Sequence, residues 1–501
     1  VIKLSIILCI IIIFSTYLVA DWVEIQQLLA SDGNEEDLFG YSVSIDGNYA
    51  VVGARNDGSA YVFYKEEEIW IEQIKLVPSD GHYSDFFGYS VCIEENCIVV
   101  GAPNNCEIGT YTGAAYVFEF VDNEWEEIEK LLPNDGNDYD HFGRSVSLSG
   151  NYIVIGSCEN DENGSDSGAA YVYYYDEIEW SEQEKIIASE GSDNAYFGIS
   201  VSISNDFIVC GAYSDYVNNL CTGSAYIFKR FGENWIEETK LFDINANEWQ
   251  SFGKSVSIDG DYLVIGASED SENGVGAGAA FVYHRDENIW NQEAKLTAGD
   301  SSIWDFFGID VCIKGDLILA GAFYLYNDEL SPGSAYLFQK QEDNWIEITK
   351  LTSSAEEIYD YFGDSVSLSE DYILVGASYN VEFTDYPGAA FIFHNDDLGF
   401  SEDTINDDSI SFRLENYPNP FNPSTTIAFS IPEESNIEII VYNIKGQKVK
   451  KIVKSVFEKG YHSIVWKGDN ESGRSVSAGV YFYKLKVNGK SKVVRKCLLL
   501  K

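Results

Sequence analysis

The chain has 501 residues, more than one ordinary core holds at roughly 150 residues per domain unless the fold is a repeat array. Its 82 Asp and Glu against 32 Lys and Arg give a formal net charge of −50, which excludes general electrostatic attraction to nucleic acid or an anionic membrane. At 45% hydrophobic and 15% aromatic it is too apolar for an acidic disordered tail, and its 42 glycines point to a β-rich globular protein with many tight turns.

The chain begins with Lys3, an apolar run of about 15 residues and a small residue at Ala20, the pattern of a secretory signal peptide over residues 1–20. That run is short for a membrane span of ~20 residues. Export permits disulfides, and eight cysteines follow: Cys92, Cys97, Cys106, Cys158, Cys210, Cys221, Cys312 and Cys497. Cys210 and Cys221 flank one loop and Cys92 and Cys97 one tight turn, so either pair is a disulfide candidate; the alternative is small buried thiols. No C-x-x-C pair or Cys/His cluster points to zinc.

From residue 21 the chain repeats. Phe-Gly recurs at Phe39, Phe87, Phe142, Phe197, Phe252, Phe307 and Phe362, spaced by 48 residues once and 55 five times. Thirteen residues after each of these glycines stands Gly-Ala or Gly-Ser, from Gly53 to Gly376. A third mark, G-[SA]-A-[YF], begins at Gly58, Gly113, Gly168, Gly223, Gly278, Gly333 and Gly388. Each repeat reads as four short strands: FGYSVSI, a tight turn, NYAVVGA, GSAYVFY, and a strand carrying W-x-E-x-x-K-L. Four antiparallel strands repeated seven times predict a seven-bladed β-propeller over residues 21–399.

The seventh repeat has no tryptophan strand after GAAFIFH, and the missing one stands first in the chain as DWVEIQQL. An unpaired edge would leave the ring open, so the N-terminal strand is expected to complete the last blade. These marks resemble FG-GAP repeat proteins, the family of propeller repeats also found in integrin α-subunits. In that family a D-x-D-x-D-G calcium loop lies between the Phe-Gly and Gly-Ala marks. Here the 13-residue spacing leaves no room for it, so those metal sites do not carry over.

An acidic segment, 400–412, leads to a tail of different charge. Residues 411–501 hold 16 bases and seven acids, a net of +9, which leaves −59 on the remainder. The tail carries Tyr417-Pro418-Asn419-Pro420-Phe421-Asn422-Pro423, Tyr442-Asn443 with Gly446-Gln447, a Gly479-Val-Tyr481 run and a basic Leu-Leu-Leu-Lys end. It closely resembles the type A C-terminal sorting domain of proteins exported by the type IX secretion system of certain Gram-negative bacteria. The resemblance implies a small Ig-like β-sandwich over 413–501 that the outer-membrane translocon reads. It also implies release of the passenger outside the cell or its attachment to surface lipopolysaccharide. Alternation in IEIIVYNI and VYFYKLKV independently supports strands.

In an up-and-down blade, the loops between second and third strands share a face with the loops between blades. Those loops carry 32 acids and one base, Arg55, whereas lysines recur on the fourth strands at Lys75, Lys130, Lys185, Lys240, Lys295 and Lys350. Such a face attracts cations or a cationic partner. Its aromatics Tyr213, Tyr216, Trp249, Trp304, Tyr324, Tyr326 and Tyr386 suit stacking on sugars or anchoring a protein. Around Gly164 and Gly274, Glu159, Asp161, Asn163, Asp166, Glu269, Asp270 and Asn273 offer oxygen donors for calcium, although neither loop is a full calcium motif. No nucleophile elbow, H-E-x-x-H or phosphate loop appears. The expected function is adhesion or binding of a protein or glycan by an exported propeller. The alternative is a carbohydrate-active hydrolase or lyase using loop-face carboxylates.

Overall fold

Seven short hairpins of the FGYSVSID–YAVVGA kind organise the molecule, and a computed structural model shows what each builds. It describes residues 22–34, 36–66, 69–323, 333–354, 361–378, 388–395, 413–417, 425–431, 435–443, 445, 448–457, 459–488 and 490–499. The expected signal peptide, 1–20, and the expected linker, 400–412, lie outside these. The chain divides into two units, Val1–Leu398 and Gly399–Lys501.

In the first unit the described strands form seven four-stranded antiparallel sheets. Blades 1 to 7 begin at the strands Phe39–Asp46, Ser90–Glu94, Ser145–Ser149, Val201–Ser204, Phe252–Asp259, Val311–Lys314 and Phe362–Leu368. In the first six blades the strands run outward in chain order, apart from a small extra hairpin (Tyr216–Val217 with Leu220–Cys221) in blade 4. Blade 7 takes its fourth strand from the other end of the chain. Trp22–Leu28 pairs antiparallel with Ala389–Asn395, from Trp22 opposite Asn395 to Leu28 opposite Ala390. The expected closure is present.

The first strands contact one another in succession, and the seventh contacts the first, so they line a central channel. One edge of each pairs with its second strand; the other edge has no strand beside it. Side chains of the preceding blade satisfy it instead. Ser44 Oγ accepts from Ile93 N, Ser147 from Ile203 N, Ser202 from Ile258 N, Ser257 from Ile313 N and Ser367 from Ile45 N, each at 3.1 Å. Cys92 and Cys312 take the backbone of Leu148 and Leu368 in the same way. Seven repeat positions thus supply seven bonds, and the ring has no gap.

The three glycine marks meet at a single inter-blade knot. Phe and Gly are the central residues of a turn whose closing N–H···O bond measures 3.0–3.2 Å in all seven blades. The glycine sits at a φ of +83° to +98°, the third position of a type II-like turn, where a side chain is strained. A Cβ on Gly88 would lie 2.1 Å from Ser59 O, and one on Gly101 2.0 Å from Gly143 O in the next blade. The Phe of each mark is fully buried and meets a third-strand ring edge-on, as Phe39 meets Tyr61 at 5.3 Å. The fourth-strand tryptophans are buried too and pack on the preceding blade, Trp70 on Tyr372 and Trp125 on Tyr49.

Neither disulfide candidate forms: all seven described cysteines are free thiols. Cys92 stands opposite Val99 and Cys97 opposite Glu94, so their side chains do not face each other. Cys210 faces Tyr226 across its strand, while Cys221 donates to Ser214 O at 3.3 Å.

The second unit is a sandwich of two sheets. One holds Arg413–Tyr417, Thr425–Ile431 and Gly460–Trp466; the other runs in the order Lys448–Phe457, Ser435–Asn443, Gly479–Val487, Lys490–Leu499. Ile427, Phe429, Ile437, Ile439, Val441, Trp466, Tyr483 and Leu485 fill the space between them. Of the sorting-type residues, Tyr417 pairs with Thr426 and Gly479 with Leu499. Tyr481 is buried and donates to Ser477 O at 2.7 Å. Pro418, Asn419, Pro420, Phe421, Asn422 and Pro423 lie outside the described residues.

The knot gives a contrast to measure. Gly47, at a φ of +53°, has nothing within 4 Å of an added Cβ, so Gly47→Ala should cost about 1 kcal/mol. Gly88→Ala adds a backbone clash and should cost roughly 3 kcal/mol or more. Chemical denaturation of both variants checks the difference, and equal costs would contradict the knot.

Candidate functional site

The rim of the loop face is built from one recurring unit. A fourth-strand lysine reaches up to an aspartate that also accepts the hydroxyl of the third-strand tyrosine. Lys75 lies 2.8 Å from Asp32 and Tyr61 Oη 2.7 Å from the same carboxylate. The pattern recurs as Lys130–Asp80–Tyr116, Lys185–Asp135–Tyr171, Lys240–Asp215–Tyr226 and Lys350–Asp300–Tyr336. Lys295 pairs with Asp270 and Glu272. Asp57, Glu107 and Glu162 add second partners to the first three lysines, so six lysines hold ten of the face's carboxylates.

The face is therefore less anionic than its acid count implies, because strand lysines extend into it. The bond from Lys75 holds Asp32 below the usual carboxylate range, and that from Lys130 does the same for Asp80. At Asp135 and Asp300 burial pulls upward, but the lysine and tyrosine bonds outweigh it.

Four of the seven calcium-candidate residues are turned to partners within the chain. Glu159 lies 3.4 Å from His141 Nε2, Asp161 accepts from Asp166 N at 2.8 Å, and Asn163 donates to Ala188 O at 2.8 Å. Asp270 is buried between Lys295 and Gln250, while Glu269 and Asn273 are exposed. Burial raises the carboxyls of Asp166 and Glu269. Among the described residues, no three His, Cys, Asp or Glu group so as to hold a metal ion.

The aromatics separate into two sets. Trp249 and Trp304 stand three residues before a Phe-Gly mark, at a left-handed φ of 67° and 64°. Each is held there by its N–H: Trp249 donates to Cys221 O at 2.6 Å and Trp304 to Val275 O at 2.8 Å. Tyr139 occupies the same position with φ 70° and donates to Thr110 O at 2.7 Å. Its three-residue spacing from Phe142 could have revealed it in the sequence. Trp249 is 58% exposed, Tyr139 55% and Trp304 36%, and Tyr216 projects similarly from the small hairpin. Tyr324, Tyr326 and Tyr386 lie outside the described residues.

Tyr213 belongs to the second set, at the channel mouth. It stacks on Tyr196 at 5.4 Å and lies under Lys254 at 4.7 Å. The residue after each Phe-Gly rings this mouth: Tyr41, Tyr89, Arg144, Ile199, Lys254, Ile309 and Asp364. Arg55 lies 3.9 Å over the Tyr41 ring and Arg144 4.6 Å over Tyr89. On the opposite arc Phe306, Phe323 and Tyr361 pack together. Below, Asp310 replaces a ring serine and accepts from Val366 N at 2.8 Å. Burial raises its carboxyl to about 7 and that of Asp364 to about 6.

Seven segments, residues 22–63, 70–118, 125–173, 180–228, 235–283, 290–338 and 345–393, match the FG-GAP repeat, together more than half the chain. The chain belongs to the FG-GAP repeat family. Each family unit starts on the fourth-strand tryptophan of one blade and ends in the third strand of the next. The FG-GAP repeat is thus offset from the blade, and closing the ring with the N-terminal strand follows from that offset. Residues 421–492 match the FlgD Ig-like domain, in keeping with the sandwich of the second unit. No curated protein matches the chain.

Asp310 gives this FG-GAP propeller a pH signature. An unfolded aspartate titrates near ~3.9. A carboxyl raised to about 7 by folding favours the folded state below the unfolded value and loses that contribution as pH rises through about 7. The denaturation midpoint of Asp310→Asn relative to wild type should therefore be more favourable at pH 8 than at pH 5. A difference independent of pH would contradict the burial of this charge.

Proposed function

We propose that this propeller is a secreted or surface-attached binding module that recognises a protein or glycan through its loop face. The observation that carries this reading is the presentation of Tyr139, Trp249 and Trp304. Bulky residues avoid the left-handed region at a cost of roughly 1–2 kcal/mol each. Here three aromatics adopt it at one repeat position, fastened by backbone bonds and exposed. Glu36 and Asn194 share this backbone form at the same repeat position, so the loop sets it, and placing large aromatics on three such loops gives a rigid contact surface. A hydrolase or lyase reading is weaker, since ten loop-face carboxylates already hold lysines.

On arrays of glycans and matrix proteins the intact chain should bind a defined set of spots. The double variant Trp249→Ala/Trp304→Ala should weaken that binding by about tenfold or more with an unchanged melting temperature. Unaltered binding by the double variant would sink the reading.

The tail supplies the route in this proposal. Its likeness to type A sorting domains, its net charge of +9 and the signal-type N-terminus support export through a type IX secretion system. The destination is then the medium or the outer surface, with lipopolysaccharide as an attachment partner. In a bacterium carrying that system, the full chain should reach the surface or medium, and a chain ending at residue 412 should stay in the periplasm. Equal export of both would overturn the route.

A further inference from the structure

Cations in this acidic propeller are mostly paired. Besides the six rim lysines, Arg230 pairs with Asp206, Arg285 with Glu238 and Lys340 with Glu293. Lys229 and Lys314 make no ion pair among the described residues and stand apart from one another, whereas Arg55, Arg144 and Lys254, also without ion pairs, gather at one place. Among the described residues none of the three side chains makes an ion pair or a hydrogen bond, and Arg55 Nε is buried without a partner. All three stand at the channel mouth, where they rest on tyrosine rings: Arg55 on Tyr41 at 3.9 Å and Tyr89 at 5.3 Å, Arg144 on Tyr89 at 4.6 Å, Lys254 on Tyr213 at 4.7 Å.

Three cations gathered without an ion pair or hydrogen bond repel one another, and a bound anion would relieve that repulsion. Burial, and after it the Arg144 charge, holds the Lys254 ammonium below the usual lysine range. Glu159, Asp364 and Glu269 lie near enough for their charges to be felt at the mouth, but none comes within ion-pair distance of the three cations: Glu159 faces His141 and Asp364 accepts from Ser378 Oγ at 3.3 Å.

Resting on the reading of the loop face as a binding surface, we propose that the channel mouth takes the carboxylate of an acidic sugar at the end of a glycan. Arg144 and Lys254 receive the carboxylate, and Tyr89 and Tyr213, covered by the two cations, hold them in place. A terminal residue fits better than a polyanion, because a long acidic chain would cross the carboxylate-rich rim within the ~8 Å screening length. A sugar fits better than a peptide carboxyl end, because the mouth is ringed by aromatics, including the packed set Phe306, Phe323 and Tyr361, which suit the apolar face of a sugar ring.

The test titrates the full chain by calorimetry with glucuronate, glucose, and a short peptide ending in a free carboxylate. Glucuronate should bind at least tenfold more tightly than either of the others. Arg144→Gln and Lys254→Gln should each weaken glucuronate binding tenfold or more at an unchanged melting temperature. Lys254→Arg should retain it, as should Lys314→Gln at the far end of the channel. Raising salt from about 50 to 500 mM should weaken it further. Equal binding of glucose, wild-type binding by both glutamine variants, or tighter binding of the peptide would overturn the proposal. If array binding persists while glucuronate does not bind, the site assignment falls and the wider binding function stands. If nothing binds on either assay, both fall.

Discussion

The unpaired edge of the innermost strand is the constraint on which the rest of the propeller depends. A strand edge without partners costs stability and invites aggregation, and a ring of blades places seven such edges around one axis. This chain satisfies them from the side, with a hydroxyl or thiol of each blade accepting the N–H of the next. The Ser-Val-Ser pattern of the first strands is therefore not decoration on a polar channel. It is the fastening that lets the channel exist, and Cys92 and Cys312 fit it because a thiol there accepts the same bond.

The outer closure and the glycine knots follow from that ring. When successive first strands approach closely enough for a serine to bridge them, the Gly-Ala backbone of one blade meets the Phe-Gly carbonyl of the next at a distance no side chain tolerates. The offset between family repeat and blade then makes each tryptophan strand belong to the preceding turn of chain. Trp22–Leu28 locks the seventh blade through the same geometry that joins the other six internally.

Convergence of the loops on one mouth sets the electrostatics. Charges that the chain distributes over several hundred residues are sorted radially: lysine–aspartate–tyrosine units at the rim, exposed aromatics above, and three cations on tyrosines at the centre. The repeat count, the four-strand blade and the swapped strand were all legible in the sequence, because each leaves a periodic mark. So was the exposure of Trp249, Trp304 and Tyr216. The pairing of the loop acids was not, since Lys75, Lys130, Lys185 and Lys350 lie on strands more than 40 residues from their aspartates, and Lys240 and Lys295 reach theirs from a different loop. Neither was the mouth, because Arg144 and Lys254 occupy a strand position where other blades carry tyrosine, isoleucine or aspartate.

By itself the sequence determined the architecture of this protein: a local pattern repeated in phase admits only one way to bury its apolar faces and pair its edges. Tertiary structure decided what the charge means. A net of −50 is a sum over residues, blind to which carboxylates meet a lysine and which cations meet none. Coulomb energy depends on distances of a few ångströms, and those exist only once the seventh blade has closed on the first.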